Sequence, residues 1–106
     1  MQFEEVIKRA ILVREEYQKL EIKKYGKQWT NTQVMQGFVG DVGDLMKLVM
    51  AKDGIRDTEN IDDKLAHELS DCLWSILVLF NRYGIDAEKE FLNSMDALEE
   101  RIKKEV

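Results

Sequence analysis

The stretch that decides the fold is LAHELSDCLWSILVLFNRYG, residues 65–84. Its second half is apolar on nearly every side of a helix, which is typical of a helix that other helices surround. Its first half is more polar and places Glu68 and Asp71 three positions apart, so both carboxylates project from one helix face. We therefore predict a central helix from about Asp62 to Tyr83, ended by Gly84.

Three further helices flank this one in the sequence. In the first, from about Phe3 to Lys24, apolar residues recur at steps of three and four. The second starts near Thr32 and lasts to about Asp53, and both Thr30 and Asn31 are good caps for it. The fourth is capped by Asp86. The pattern predicts an all-α bundle of four helices.

Length and composition limit the other possibilities. The 106 residues fit one domain, residues 1–106, and the absence of proline suits uninterrupted helices. A chain this short buries only about two-thirds of its unfolded surface, so we expect a homo-oligomer, a dimer at least, to complete the bundle. The net charge of −5 disfavours a nucleic-acid polymer or an anionic membrane as partner.

The cell compartment is predicted from what the sequence lacks. The longest apolar run, CLWSILVLF, is too short to span a bilayer. The single Cys72 cannot form an internal disulfide, and the N-terminus MQFEEVIKRA has no apolar run of the signal-peptide type. We expect a cytoplasmic protein.

A second acidic pair lies in GFVGDVGDLMKL, residues 37–48, on the second helix. Asp41 and Asp44 are three apart and sit among apolar residues, as Glu68 and Asp71 do. If the two helices pack antiparallel, four carboxylates converge, and their repulsion in a partly dry site requires a neutralising partner. Oxygen-only ligands suit Mg2+ or Mn2+.

Spacing alone leaves alternatives open. Pairs three apart also occur at Glu59/Asp62 and Asp96/Glu99 in polar surroundings, where a solvated face is the simpler interpretation. Three interpretations of the two apolar-flanked pairs remain open, namely a metal site, hydrogen-bonded polar groups in the core, and an exposed helix face. A di-iron bundle would need Glu-x-x-His pairs, and the single histidine, His67, has none. A structural zinc site is excluded because there is no cluster of cysteine and histidine.

The second helix also contains three glycines, and glycine lowers the stability of a helix interior. Gly37, Gly40 and Gly43 step by three and form a smooth strip beside the aspartates. We expect this strip to admit either a neighbouring helix or a ligand.

Two motifs carry a resemblance to a known family. VGDVGDL and HELSDCLW, with NRYGIDAEKEF after them, resemble the signature helices of the MazG-like all-α nucleoside triphosphate pyrophosphohydrolases. The family pattern is Glu-x-x-Glu, a spacer, then Glu-x-x-Asp, and this chain has aspartates in the first pair. The resemblance implies a four-helix MazG-like fold that works as a dimer or a dimer of dimers.

The resemblance also implies an activity. Members hydrolyse nucleotides between the α- and β-phosphates with carboxylate-bound Mg2+ and an activated water. It therefore assigns metal-ligand and catalytic roles to Asp41, Asp44, Glu68 and Asp71, one of which would serve as base for the water. The expected cofactor is Mg2+, with Mn2+ as the substitute.

Substrate contacts are assigned to residues outside the acidic pairs. Trp29 precedes the second helix, where relatives place an aromatic residue or histidine near the base; it can stack on a base or plug the end of the bundle. Members carry a lysine and an asparagine where this chain has Ser94 and Leu98. The candidate cations for the phosphates are Lys52, Lys64 and Arg101.

Three functions follow. The leading one is a (d)NTP pyrophosphohydrolase that yields (d)NMP and pyrophosphate. The second is an enzyme of the phosphoribosyl-ATP pyrophosphohydrolase type. The third is a non-catalytic helical module for dimerisation or nucleotide binding. The sequence also predicts Trp74 at a core or dimer-interface position and His67 on the helix surface.

Overall fold

The computed structural model describes residues 2–55 and 59–105 of the chain, and within these ranges it contains four α-helices and no strand. The helices are α1 (Phe3–Tyr25), α2 (Asn31–Lys52), α3 (Ile61–Arg82) and α4 (Ala87–Glu105). The all-α fold class is therefore confirmed. Each predicted boundary lies within about one residue of the observed one.

Side-chain caps explain where α2 and α4 begin. The Thr30 hydroxyl accepts a hydrogen bond from the Gln33 backbone N–H at 3.1 Å, and the Gln33 side chain accepts one from the Thr30 N–H at 2.9 Å. This capping box selects Thr30 over Asn31 as the N-cap of α2. Asp86 accepts from the Lys89 N–H at 3.1 Å, as predicted for the start of α4.

The helices α2 and α3 run antiparallel and form the most extensive helix pair of the molecule. Contacts at both ends establish this direction. Lys52 at the end of α2 pairs with Asp62 at the start of α3 at 2.6 Å, and Arg82 at the end of α3 donates to the Asn31 side chain at 3.1 Å. Since α3 also packs against α1 and α4, it is the central helix, as predicted.

The core is small for a chain of this length. Among the described residues no side chain is fully buried, and α4 makes only a limited contact with α3. The radius of gyration is 16.9 Å, whereas a compact domain of 106 residues would have about 13 Å. The chain therefore leaves much of its apolar surface uncovered.

Part of the uncovered apolar surface forms two stripes, one on α2 and one on α3, while other exposed apolar residues lie on α1 and α4. We call the exposed apolar residues of α2 the α2 stripe; they are Met35, Val39, Val42, Met46 and Val49. The α3 stripe consists of Leu69, Leu73, Ile76 and Tyr83, which are exposed, and Phe80, which is half-buried. In both stripes the steps alternate between three and four residues, which is the spacing of helix-packing seams.

The α3 stripe refines the sequence prediction for the central helix. A helix that is apolar on nearly every side was expected to be surrounded, yet one of its faces is open in this chain. Over the described part of the chain, no helix combines the length and the apolar character needed to cross a membrane.

Candidate metal centre and the adjoining cavity

Three carboxylates from α2 and α3 meet halfway along the helix pair. Asp41 and Asp44 project from α2 and Glu68 from α3, and one oxygen of each lies within 4.8 Å of the others. The three-residue spacing on α2 places both aspartates on the face toward α3. The antiparallel packing then brings Glu68 opposite them, so three of the four carboxylates expected from the sequence converge.

The cluster is electrostatically unfavourable as it stands. The pKa of Asp41 is raised, first by its removal from water and then by the negative charges of Asp71 and Asp44, with His67 opposing. The pKa of Glu68 is raised by burial, and further by the charges of Asp41, Asp71 and Asp44. The neighbouring negative charges thus disfavour the ionised forms of Asp41 and Glu68.

One oxygen of this cluster has no hydrogen-bond partner. The Oε2 atom of Glu68 is buried, and no donor among the described residues reaches it. A buried carboxylate oxygen without a donor is costly unless a cation or a water binds it. Three carboxylates with no sulfur or nitrogen ligand among them fit Mg2+ or Mn2+ by size and hardness.

Asp71, the fourth predicted ligand, lies beside the cluster and has a partner of its own. Its Oδ2 is 3.2 Å from Nε2 of His67, one helical turn earlier on α3. Its charge nevertheless acts on Asp41 and Glu68. The His67 side chain is 73 % exposed, in agreement with the predicted surface position.

A cavity of about 350 Å3 opens next to these carboxylates. Asp41, Asp71 and His67 line its acidic end. Three aromatic rings form much of the remaining wall, and they belong to Tyr17, Trp29 and Trp74. The rest of the lining consists of Arg14, Val34, Gly37, Ser75 and Val78. An acidic end joined to an aromatic end suits a ligand with a cation-bound anionic part and a flat ring.

Trp74 joins α3 to α1 at one side of this cavity. Its indole N–H donates to the backbone carbonyl of Ala10 at 2.9 Å, and its ring lies 5.6 Å from that of Tyr17 at 49°. The residue is half-buried between the two helices, and the predicted alternatives of a core or a dimer-interface position both stay open. Tyr17 is one of the apolar residues that recur along α1 in the sequence. Its position in the cavity wall could be seen only in the folded structure.

Trp29 also lines this cavity, from the loop between α1 and α2. Its ring packs over Gly37, where a Cβ atom would lie 3.2 Å from the ring. Gly37 therefore makes room for Trp29. Neither Gly40 nor Gly43 has a described neighbour within 4 Å of its Cβ direction. No helix of this chain fills the predicted glycine strip in the part that the structure describes.

The three predicted phosphate-binding cations lie apart from the aromatic cavity. Lys52 pairs with Asp62 instead. Lys64 lines a second cavity beside Glu68 and His67. Arg101 is exposed on α4, and the described residues give it no hydrogen bond or ion pair with the carboxylates. Lys64 is the one of the three that the structure brings near the cluster.

The basic side chain of the aromatic cavity is Arg14, which sequence reasoning missed. It is buried and pairs with Glu21, seven residues later on α1. A seven-residue step places both on one helix face beside Tyr17. This spacing is the feature of the sequence that points to the pair. Charged residues on an amphipathic helix ordinarily belong to the solvated face, so their burial could not be inferred without the packing of α1 on α3.

Comparison with protein-family models, with curated proteins and with solved structures finds no match to this chain.

Proposed function

We propose that this protein is a metal-dependent nucleotide pyrophosphohydrolase that converts a (d)NTP and water to a (d)NMP and pyrophosphate. The observation that supports this most is the cluster of Asp41, Asp44 and Glu68, with an unpartnered buried oxygen, together with the aromatic-walled cavity that Asp41 lines. A nucleotide has matching parts, because its phosphates bind divalent cations and its base stacks on aromatic rings.

In the proposed complex the base lies between Trp29 and the Tyr17–Trp74 pair, and the phosphates point to the carboxylates. Asp41, Asp44 and Glu68 would hold the cation, for which Mg2+ or Mn2+ is the expected choice. The bound cation would offset phosphate charge and lower the pKa of the attacking water. The resemblance of the two motifs to the MazG-like enzymes supports attack at the α-phosphorus.

Asp71 is the residue that we assign to the proton of the attacking water. It lines the cavity next to Asp41 but lies outside the set of three converging carboxylates. Its Oδ2 faces the imidazole of His67, which orients the carboxylate. A carboxylate in hydrogen-bond reach of water is a suitable base once that water is acidified.

The same proposal includes a second copy of this chain. The α2 and α3 stripes lie on adjacent antiparallel helices, and two such pairs facing each other form a four-helix bundle. Among soluble homo-oligomers, dimers with a two-fold axis are the commonest. We expect this enzyme to act in the cytoplasm, where its nucleotide substrates are found.

The metal step is tested by titrating Mn2+ into the parent protein, Asp44→Asn, Glu68→Gln and a control, Asp96→Asn. Asp96 is exposed on α4, so the Asp96→Asn substitution removes one negative charge outside the cluster. We expect about a tenfold or larger loss of Mn2+ affinity in the two cluster variants and none in the control. Equal affinity in all four proteins would contradict the metal site.

The reaction is tested with a panel of ribo- and deoxyribonucleotides, and phosphoribosyl-ATP, in 18O water with Mg2+. Pyrophosphate release and label in the monophosphate are the expected results. Label found only in pyrophosphate or free phosphate would place the attack elsewhere. If no substrate turns over with either Mg2+ or Mn2+, the enzymatic proposal is wrong.

A further inference from the structure

We propose that Arg14, Glu21 and Arg82 form a clamp that positions Trp29 as the stacking wall of the cavity. The consequence for nucleotide binding rests on the function proposed above, whereas the clamp itself is a property of the protein alone. The three residues come from α1 and α3, and the ring that they hold belongs to the loop between α1 and α2.

The clamp holds the Trp29 backbone from both sides. The backbone N–H of Trp29 donates to Oε1 of Glu21 at 2.9 Å. The backbone carbonyl of Trp29 accepts from Nη1 of Arg82 at 2.7 Å. The same Arg82 nitrogen donates to the Asn31 side chain at 3.1 Å, so the loop is tied to the start of α2. A loop residue is ordinarily among the more mobile parts of a protein, and here both its polar backbone groups are fixed.

The clamp also holds the ring. The Arg14 guanidinium carbon lies 5.8 Å from the centre of the Trp29 ring, within the range of a cation–π contact. Arg14 in turn donates to Oε1 of Glu21, the oxygen that accepts from the Trp29 backbone. On its other edge the ring meets the bare backbone of Gly37. One carboxylate oxygen thus fixes both the backbone of Trp29 and the cation over its ring.

Stability alone does not explain this arrangement. Arg14 and Glu21 are 8 % and 6 % exposed, and burying an ion pair in place of apolar residues often lowers stability. The pKa of Arg82 is lowered by its burial and by the charge of Arg14, and Glu21 only partly offsets this. Two guanidinium groups are thus buried near one carboxylate, which among the described residues forms an ion pair with Arg14 alone, and Trp29 remains 39 % exposed. The cost produces a fixed, accessible aromatic surface.

A fixed ring binds a base without the entropy cost of ordering the loop. Stacking by one aromatic side chain supports about a fivefold to hundredfold difference in affinity. Loosening the clamp should therefore raise KM about tenfold and leave kcat and Mn2+ affinity within about twofold, because stacking is the same in the ground and transition states. Arg14, Glu21 and Arg82 are positioning residues in this scheme.

The clamp is tested by 19F NMR of protein labelled with 5-fluorotryptophan, which has only Trp29 and Trp74 as reporters. Trp74→Phe assigns the two signals. The variants are Glu21→Gln and Arg82→Lys, and the control is Glu16→Gln, an exposed glutamate on the same helix. We expect the Trp29 signal to shift or broaden in both variants, while the Trp74 signal and the control spectrum stay unchanged.

Each other result contradicts the proposal. An unchanged Trp29 signal in both variants would show that the contacts do not fix the ring. Movement of both signals to their unfolded positions in both variants would show that the network maintains the fold and does not position one residue.

The kinetic arm separates the clamp from the proposed function. If the parent hydrolyses a nucleotide, a fall in kcat with unchanged KM in Glu21→Gln would overturn the positioning role. If the parent hydrolyses no nucleotide, the proposed function fails, and the 19F spectra still decide whether the clamp exists.

Discussion

Two carboxylates of the cluster lie where their surroundings disfavour the ionised form. Asp41 and Glu68 both have raised pKa values because they are partly removed from water and face other negative charges. A fold without a use for these groups would gain by losing one of them. Functional sites commonly trade stability for chemistry in this way.

The first prediction is that Asp41→Asn stabilises the protein when metal is removed with EDTA. Between its ordinary and its raised pKa, Asp41 binds more protons in the folded state than in the unfolded state, so stability falls as pH rises through this window. At pH 7 the Asp41→Asn substitution should therefore raise the free energy of unfolding by a few tenths to about 1 kcal/mol. The gain should vanish toward about pH 4, near the ordinary pKa.

Urea unfolding at both pH values measures this difference, with Asp96→Asn as the matched control that should change little. A variant less stable than the parent at pH 7 would mean that Asp41 already has a favourable partner in the folded protein. Saturating Mn2+ should reverse the order and stabilise the parent more than the variant.

The sequence predicted the residues whose positions depend on helix spacing alone. Asp41, Asp44 and Glu68 follow from two three-residue steps and one antiparallel pair. The pairing of Asp71 with His67 depends on side-chain rotamers, which spacing does not determine. The burial of Arg14 depends on the helix that covers it, so it became visible only in the folded chain.

At the scale of elements, the boundaries of the helices were predictable because local chemistry determines them. Thr30 with Gln33 and Asp86 with the Lys89 N–H supply caps that need no tertiary contact. The environment of the glycines in α2 was not predictable, since it depends on which neighbours arrive. Gly37 meets the Trp29 ring, and the neighbouring glycines meet nothing described within 4 Å.

The second prediction uses that difference. Gly40→Ala should stabilise the isolated chain by about 0.5–1 kcal/mol, because alanine favours the helix and its Cβ would meet open space. Gly37→Ala should gain less or lose stability, because its Cβ would lie 3.2 Å from the ring of Trp29. Urea unfolding of the two variants under identical conditions tests the order.

The Gly40→Ala variant also tests whether a helix or a ligand packs on the glycine strip. If Gly40→Ala is less stable than the parent, something packs on the strip in the native assembly, and the open-space argument is wrong. If it is more stable yet turns over nucleotide more slowly, the strip admits the ligand, which is one of the two roles expected from the sequence.

At the scale of the whole molecule, the central position of α3 followed from the sequence. The antiparallel direction of α2 and α3 entered only as a condition, and the extent of the exposed surface was not predicted. A periodic apolar pattern shows that a helix face is buried against something, without showing whether the partner is in the same chain. The radius of gyration of 16.9 Å and the two exposed stripes show that this chain alone leaves part of that surface uncovered.

The last prediction is that the α2 and α3 stripes form a homodimer interface. Light scattering at micromolar concentration should give the parent at least twice the chain mass of 12.4 kDa. Val42→Glu and Leu73→Glu each place a charge in one stripe, where an unpaired buried charge is costly, and should give the monomer mass. Ile22→Glu is the matched control, because Ile22 is an exposed apolar residue of α1 outside both stripes, and it should leave the mass unchanged. A parent at 12.4 kDa would show that the stripes do not associate, and a loss of mass in Ile22→Glu equal to that in the stripe variants would place the interface elsewhere.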